Sequence, residues 1–137
     1  MESQNYQDQL QMFSYLKQQR DVYQGQLEYV NAILANYLNT KATLENLKEG
    51  VNVGDEILVP IGGIANIKAT IKDTEKVLVA VTQDVIIEKD LDGAIEFLET
   101  RIEQHNKEIQ FIRTQLQNFE MNLQKTSQQL QSGYLKK

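Results

Sequence analysis

Apolar residues recur along this chain with two different periods. Stepping by alternating three and four residues from Phe13 visits Leu16, Arg20, Tyr23, Leu27, Val30, Leu34, Tyr37, Lys41 and Leu44, and eight of these ten positions are apolar. The same walk from Leu91 visits Ile95, Leu98, Ile102, His105, Ile109, Ile112, Leu116, Phe119, Leu123, Thr126 and Leu130, with ten apolar positions of twelve. A period of 3.5 sustained over this many heptads is the a/d seam of a coiled coil, so two long helices are predicted whose stripes have only each other to cover them. Helix one is expected over residues 4–49, ended by Gly50, a residue suited to the left-handed conformation that closes helices. Helix two is expected over 91–132, capped at its start by Asp90 and stopped before Gly133. At 1.5 Å per residue both reach roughly 60–70 Å, and an antiparallel hairpin of matched arms would bring the two chain ends to one tip.

Between the helices the period falls to two. Ile57, Val59 and Ile61, then Ile67, Ala69 and Ile71, then Val77, Val79 and Val81, then Val85 and Ile87 alternate with other residues, which predicts four strands forming two β-hairpins within 56–89. Gly62-Gly63 suits a two-residue turn in which both positions take positive φ, while Asp73-Thr74-Glu75 and Gln83-Asp84 supply the other connections. Four short strands bury too little to be stable alone, and residues 77–81 are apolar on both faces once Leu78 and Ala80 are counted. Unpaired edges of this kind invite other chains. Ile57, Val59, Ile61, Ile67, Ile71, Val77, Val79, Val81, Val85 and Ile87 are therefore the expected core of an assembly module.

Composition narrows the chemistry. With 137 residues, the whole chain, 1–137, reads as one domain, and it has no cysteine, so disulfides and thiolate metal sites are excluded and a reducing, cytoplasmic setting is expected. No apolar run is long enough to span a bilayer, and the first residues lack a secretory pattern, so neither membrane insertion nor export is expected. The net charge of −5 is spread so that no segment is basic, which argues against nucleic acid, whose phosphates are held by Lys and Arg. Sixteen of the seventeen glutamines lie in the two helical segments, as expected of solvated helix faces. His105 stands on the seam with only Glu108 at a facing spacing, which is a register-fixing polar residue and not a metal site. Nothing resembles a phosphate loop or a nucleophile constellation, so no cofactor, no metal and no catalysis are expected.

Near the chain ends the sequence holds more apolar side chains than a two-helix seam absorbs. Tyr6, Leu10, Met12, Phe13, Tyr15 and Leu16 on helix one face an opposing set of Phe119, Met121, Leu123, Leu130, Tyr134 and Leu135 on helix two, and Met12, Tyr15 and Met121 fall off the ladders altogether. Flexible Met and amphipathic Tyr suit adaptable contacts, so these twelve residues are the expected binding surface.

The stretches Glu56-Ile57-Leu58-Val59-Pro60-Ile61-Gly62-Gly63, Lys76-Val77-Leu78-Val79-Ala80-Val81 and Val85-Ile86-Ile87-Glu88-Lys89, the last followed by Ala94-Ile95-Glu96-Phe97-Leu98, resemble the strands and second-helix entry of the alpha-class subunits of prefoldin. Thr82-Gln83-Asp84 departs from the glycine that the family often has between its third and fourth strands. The resemblance covers essentially the whole chain. It implies a mainly α fold: a long antiparallel coiled-coil hairpin whose two β-hairpins pair into an oligomeric β-barrel. It also implies two alpha subunits with four prefoldin beta subunits in a heterohexamer, and capture of non-native polypeptides at the arm tips without ATP for delivery to a group II chaperonin. The alternatives are a coiled-coil scaffold for one folded partner and a self-assembling, filament-forming prefoldin-like protein.

Overall fold

A computed structural model describes residues 2–135, with side chains described over 4–133. Helix α1 runs Glu2–Gly50, strands β1 Glu56–Pro60, β2 Asn66–Thr70, β3 Lys76–Ala80 and β4 Ile86–Asp90 follow, and helix α2 runs Leu91–Leu135. The chain forms two compact units, one of residues up to Leu34 with those from Gln104 onward, the other of Ala35–Glu103.

In the first unit the early turns of α1 pack on the late turns of α2. Val30, Ile109 and Ile112 are buried together, with Tyr23, Leu27, Leu34 and Leu116 packed around them. Tyr23 and Phe119 add a tilted ring pair with centroids 5.4 Å apart. Polar seam positions are matched individually: Arg20 reaches Glu120 at 3.5 Å and Asp21 at 3.2 Å, and the His105 Nδ1 lies 3.5 Å from a Glu108 carboxylate oxygen.

The second unit holds the later turns of α1, the four strands and the early turns of α2. Its core is Leu44, Leu91, Ala94 and Leu98, against which Tyr37, Leu47, Ile95 and two strand residues, Val77 and Val79, are packed. Lys41 bridges to Glu99 at 3.3 Å and Lys48 to Asp92 at 2.7 Å. The start of α2 is fixed from both sides: the Gly93 N–H donates to the Asp90 Oδ1 at 2.9 Å, and the Leu91 N–H to the Glu75 carbonyl at 3.1 Å. Asp90 thus ends β4 and caps α2, satisfying an amide that has no partner inside the helix.

The strands make two separate two-stranded antiparallel sheets. In β1–β2, Ile57 pairs with Ala69 and Val59 with Ile67; in β3–β4, Val77 pairs with Lys89 and Val79 with Ile87. The two hairpins close alike, the Ile61 N–H donating to the Ala65 carbonyl at 2.9 Å and the Val81 N–H to the Val85 carbonyl at 3.0 Å. Each loop therefore has three residues between the closing pair, not the two expected of Gly62-Gly63. Only Gly62 takes a positive φ, 153°, and the Thr82-Gln83-Asp84 loop needs none. Ile61 and Ile71 lie just outside β1 and β2, although the Ile71 N–H still donates to the Asp55 carbonyl at 2.9 Å.

Two helix ends differ from expectation. Gly50 is the last residue of α1 without a left-handed φ; the turn is made further on, where Gly54 takes φ 91° and the Asp55 carboxylate accepts the Asn52 N–H at 2.8 Å. Gly133 lies inside α2, where a side chain would meet the Tyr6 ring at 3.8 Å.

Candidate functional site

Two uncovered apolar surfaces stand out, one in each unit. In the second unit the helices cover one face of β3–β4, through Val77 and Val79. The opposite face carries Leu78, Ala80 and Ile86, with Leu78 72% and Ile86 65% exposed. On β1–β2, Ile57, Leu58, Val59, Ile61 and Ile67 are 36% to 65% exposed, and Ile64 at the loop tip is fully exposed. Ala69, Ile71 and Val81 are half-buried, while Val85 and Ile87 remain exposed. Two small sheets with this much open apolar surface and unpaired edges are incomplete as an isolated chain. Of the residues expected as an assembly core, Val77 and Val79 pack against the chain's own core, while Leu58, Ile64, Leu78 and Ile86, not among them, are exposed. Period-two alternation marks both faces of a strand equally, so the sequence held no signal for which face the helices would take.

In the first unit, Leu10, Met12, Tyr15 and Met121 are exposed, 42% to 66% by residue. Tyr6, Phe13, Phe119 and Leu130 are half-buried. Leu16 and Leu123 are buried in the seam, so their side chains close the helix pair and are not part of its surface as it stands. Tyr134 and Leu135 lie outside the residues whose side chains are described. Sequence reasoning missed Val22, Tyr29 and Phe111, all more than half exposed. Tyr15, Val22 and Tyr29 do carry a signal, because they recur at heptad spacing one position before the seam.

Charged groups add local order. Lys48 is held above its ordinary pKa of 10.5 by the hydrogen bond from its ammonium to Asp92 and by that carboxylate's charge. Phe97 lies between the Lys89 ammonium, 5.6 Å from the ring centroid, and the Arg101 guanidinium at 5.1 Å. Among the described residues, no three His, Asp or Glu side chains converge as a metal site would require, and no helix is long and apolar enough to cross a membrane.

The family model for prefoldin subunits matches residues 16–132, which takes in both helices and all four strands. The chain belongs to the prefoldin family. Its relatives are named as alpha subunits: one from Pyrococcus horikoshii is 30% identical over 119 residues, covering 87% of this chain and 80% of that protein. Another from Thermofilum pendens is 34% identical over 92 residues, covering 67% and 70%. Among solved structures, a filamentous PFD from Methanocaldococcus jannaschii shares the fold with a TM-score of 0.73 at 21% identity, covering 82% of this chain and 93% of that one. Prefoldin alpha subunits assemble with other prefoldin subunits into oligomers, and this prefoldin chain leaves apolar residues of its strands exposed.

Proposed function

We propose that this prefoldin chain is a subunit of an ATP-independent holdase of the cytoplasm, joined to beta-class subunits through its strands, which captures non-native polypeptides at the ends of its helices and passes them to a group II chaperonin. The observation that carries the reading is the exposure of Leu10, Met12 and Met121 within a unit whose seam is already filled by other residues. Their spacing fits neither a seam nor a strand, so they offer apolar contact without a fixed pattern, which is what chains of unrelated sequence require. Met supplies an unbranched side chain that adapts to irregular surfaces. Weak contacts of this kind gain strength when several arms hold one client together. On this reading the assembly contains two alpha and four beta subunits, and the strand surface of Ile57, Val59, Leu78 and Ile86 is covered by neighbouring subunits.

The test is suppression of aggregation of a denatured model protein, without nucleotide, by the assembled complex. Leu10→Ser, Met12→Ser and Met121→Ser together withdraw apolar burial worth on the order of 1.5–3 kcal/mol per side chain while leaving seam and strands intact, so assembly persists and protection falls. Full protection by the triple variant moves client binding elsewhere. No protection by the unaltered complex favours a scaffold for one folded partner. Native mass spectrometry of the chain with a beta-class subunit gives the stoichiometry; a large homopolymer in its place is the outcome expected of a filament former.

A further inference from the structure

Sulfur is confined to three residues of this chain. There is no cysteine, and the methionines are Met1, Met12 and Met121. Met1 lies outside the described residues. Met12 is 53% and Met121 66% exposed, and neither stands on the seam, so solvent reaches both thioethers. The buried clusters of both units consist of Leu, Ile, Val and Ala, which peroxide leaves untouched. Cysteine thiolates, where a protein has them, take up peroxide readily. Here the exposed thioethers meet it instead.

The reaction is a two-electron oxidation of sulfur. The thioether gives its lone pair to one oxygen of hydrogen peroxide, and the S–O bond forms as the O–O bond breaks. The proton on the transferred oxygen passes to the departing hydroxide, water leaves, and methionine sulfoxide remains. The product is polar and uncharged. In a core it would disrupt packing, but on these two residues the added oxygen faces water. Three and four residues either side of Met121 stand Gln117, Asn118, Gln124 and Lys125, all exposed, so amide and ammonium donors are at helical contact spacing from it. Around Met12 the same spacings give Asp8, Gln9, Tyr15 and the buried Leu16, of which Gln9 carries such a donor.

The helix pair therefore tolerates the sulfoxide, whereas an apolar partner does not. To be covered, the new oxygen must shed its water without gaining a hydrogen bond. We propose that Met12 and Met121 are modification sites, at which oxidation by peroxide to the sulfoxide reversibly lowers the capture of non-native polypeptides while fold and assembly persist. This rests on the reading that the surface of Leu10, Met12 and Met121 captures them.

The assembled complex is treated with hydrogen peroxide, and mass spectrometry of its proteolytic fragments locates the added oxygen. Met12 and Met121 should each gain one, with helix content by circular dichroism and the assembled mass unchanged. The concentration of complex that half-protects a denatured model protein should rise about fivefold or more, and methionine sulfoxide reductases with a thiol reductant should restore it. A complex carrying Met12→Leu and Met121→Leu, compared with itself before and after peroxide, should change less than about twofold, which separates this chain's sulfurs from those of other subunits. Unaltered protection by the oxidised parent overturns the proposal, as does an equal loss in the Leu variant or a loss of helix content or assembly on oxidation. Absence of protection before any treatment overturns the capture reading itself, and this proposal with it.

Discussion

Asp90 and Gly93 should show a coupling that neither residue reveals alone. The Asp90 carboxylate accepts the Gly93 N–H at 2.9 Å, and a Cβ built on Gly93 would lie 2.5 Å from that same oxygen. Gly93→Ala therefore drives the capping carboxylate off its amide. The cap is worth about 0.5–2 kcal/mol, typically near 1, and alanine in place of glycine in a helix gains up to about 1 kcal/mol. These nearly cancel, so Gly93→Ala in the parent chain should change stability by less than about 0.5 kcal/mol. Asp90→Ala alone should lose about 1 kcal/mol. In that background there is no carboxylate to displace, and Gly93→Ala should then recover most of the loss. The cycle predicts a coupling of about 1 kcal/mol, or about 3–5 °C in midpoint for a chain of this size. Far-UV circular dichroism of the four variants through thermal and urea unfolding, at fixed chain concentration, measures it. If Gly93→Ala stabilises both backgrounds alike, the Asp90 carboxylate does not cap α2.

Ile112 is 2% exposed and Phe111 beside it 57%, so Ile112→Ala should cost about 2–5 kcal/mol and Phe111→Ala less than about 0.5, measured by urea unfolding; equal effects would deny the packing of Val30, Ile109 and Ile112. Val79→Asp should destabilise the chain itself, because Val79 packs on the Leu44, Leu91, Ala94 and Leu98 core, whereas Leu78→Lys should leave helix content intact and abolish assembly in native mass spectrometry. Assembly by Leu78→Lys would show that the exposed face of β3–β4 is not the contact. Asp92 raises the pKa of Lys48 above 10.5, so the folded chain holds that proton more tightly than the unfolded one. The stabilisation is fully present below about pH 10.5 and is lost as pH rises through the folded value; melts across the alkaline range should show a decline that is smaller in Lys48→Met.

The seam was legible because heptad spacing is a local property of the helix. All positions of both ladders, including Arg20, Lys41, His105 and Thr126, are buried or half-buried. The Asp90 cap was legible for the same reason, since it depends on one side chain and an amide three residues away. What depended on distant partners was not. Gly133 reads as a stop, yet the Tyr6 ring lies over it and α2 continues, tertiary contact outweighing intrinsic preference. Gly50 reads as a left-handed cap, yet the chain defers its left-handed residue to Gly54, where the Gly54 N–H also donates to the Ile71 carbonyl at 2.8 Å. The division of the end residues between seam and surface was hidden in the same way. Leu16 and Leu123 occupy seam positions and are buried, while Tyr15, one residue earlier, is exposed; one position along a helix is a turn of about 100°, enough to move a side chain from seam to solvent.

Spacing also separates the two uncovered apolar surfaces by what can cover them. Leu58, Leu78 and Ile86 lie on extended backbone with unpaired edges, so the complement that satisfies both their side chains and their amides is another strand. Leu10, Met12 and Met121 have no period that a regular element could match. A partner of fixed structure therefore has no advantage there over a chain without one, and that indifference is what the proposed capture of non-native polypeptides requires.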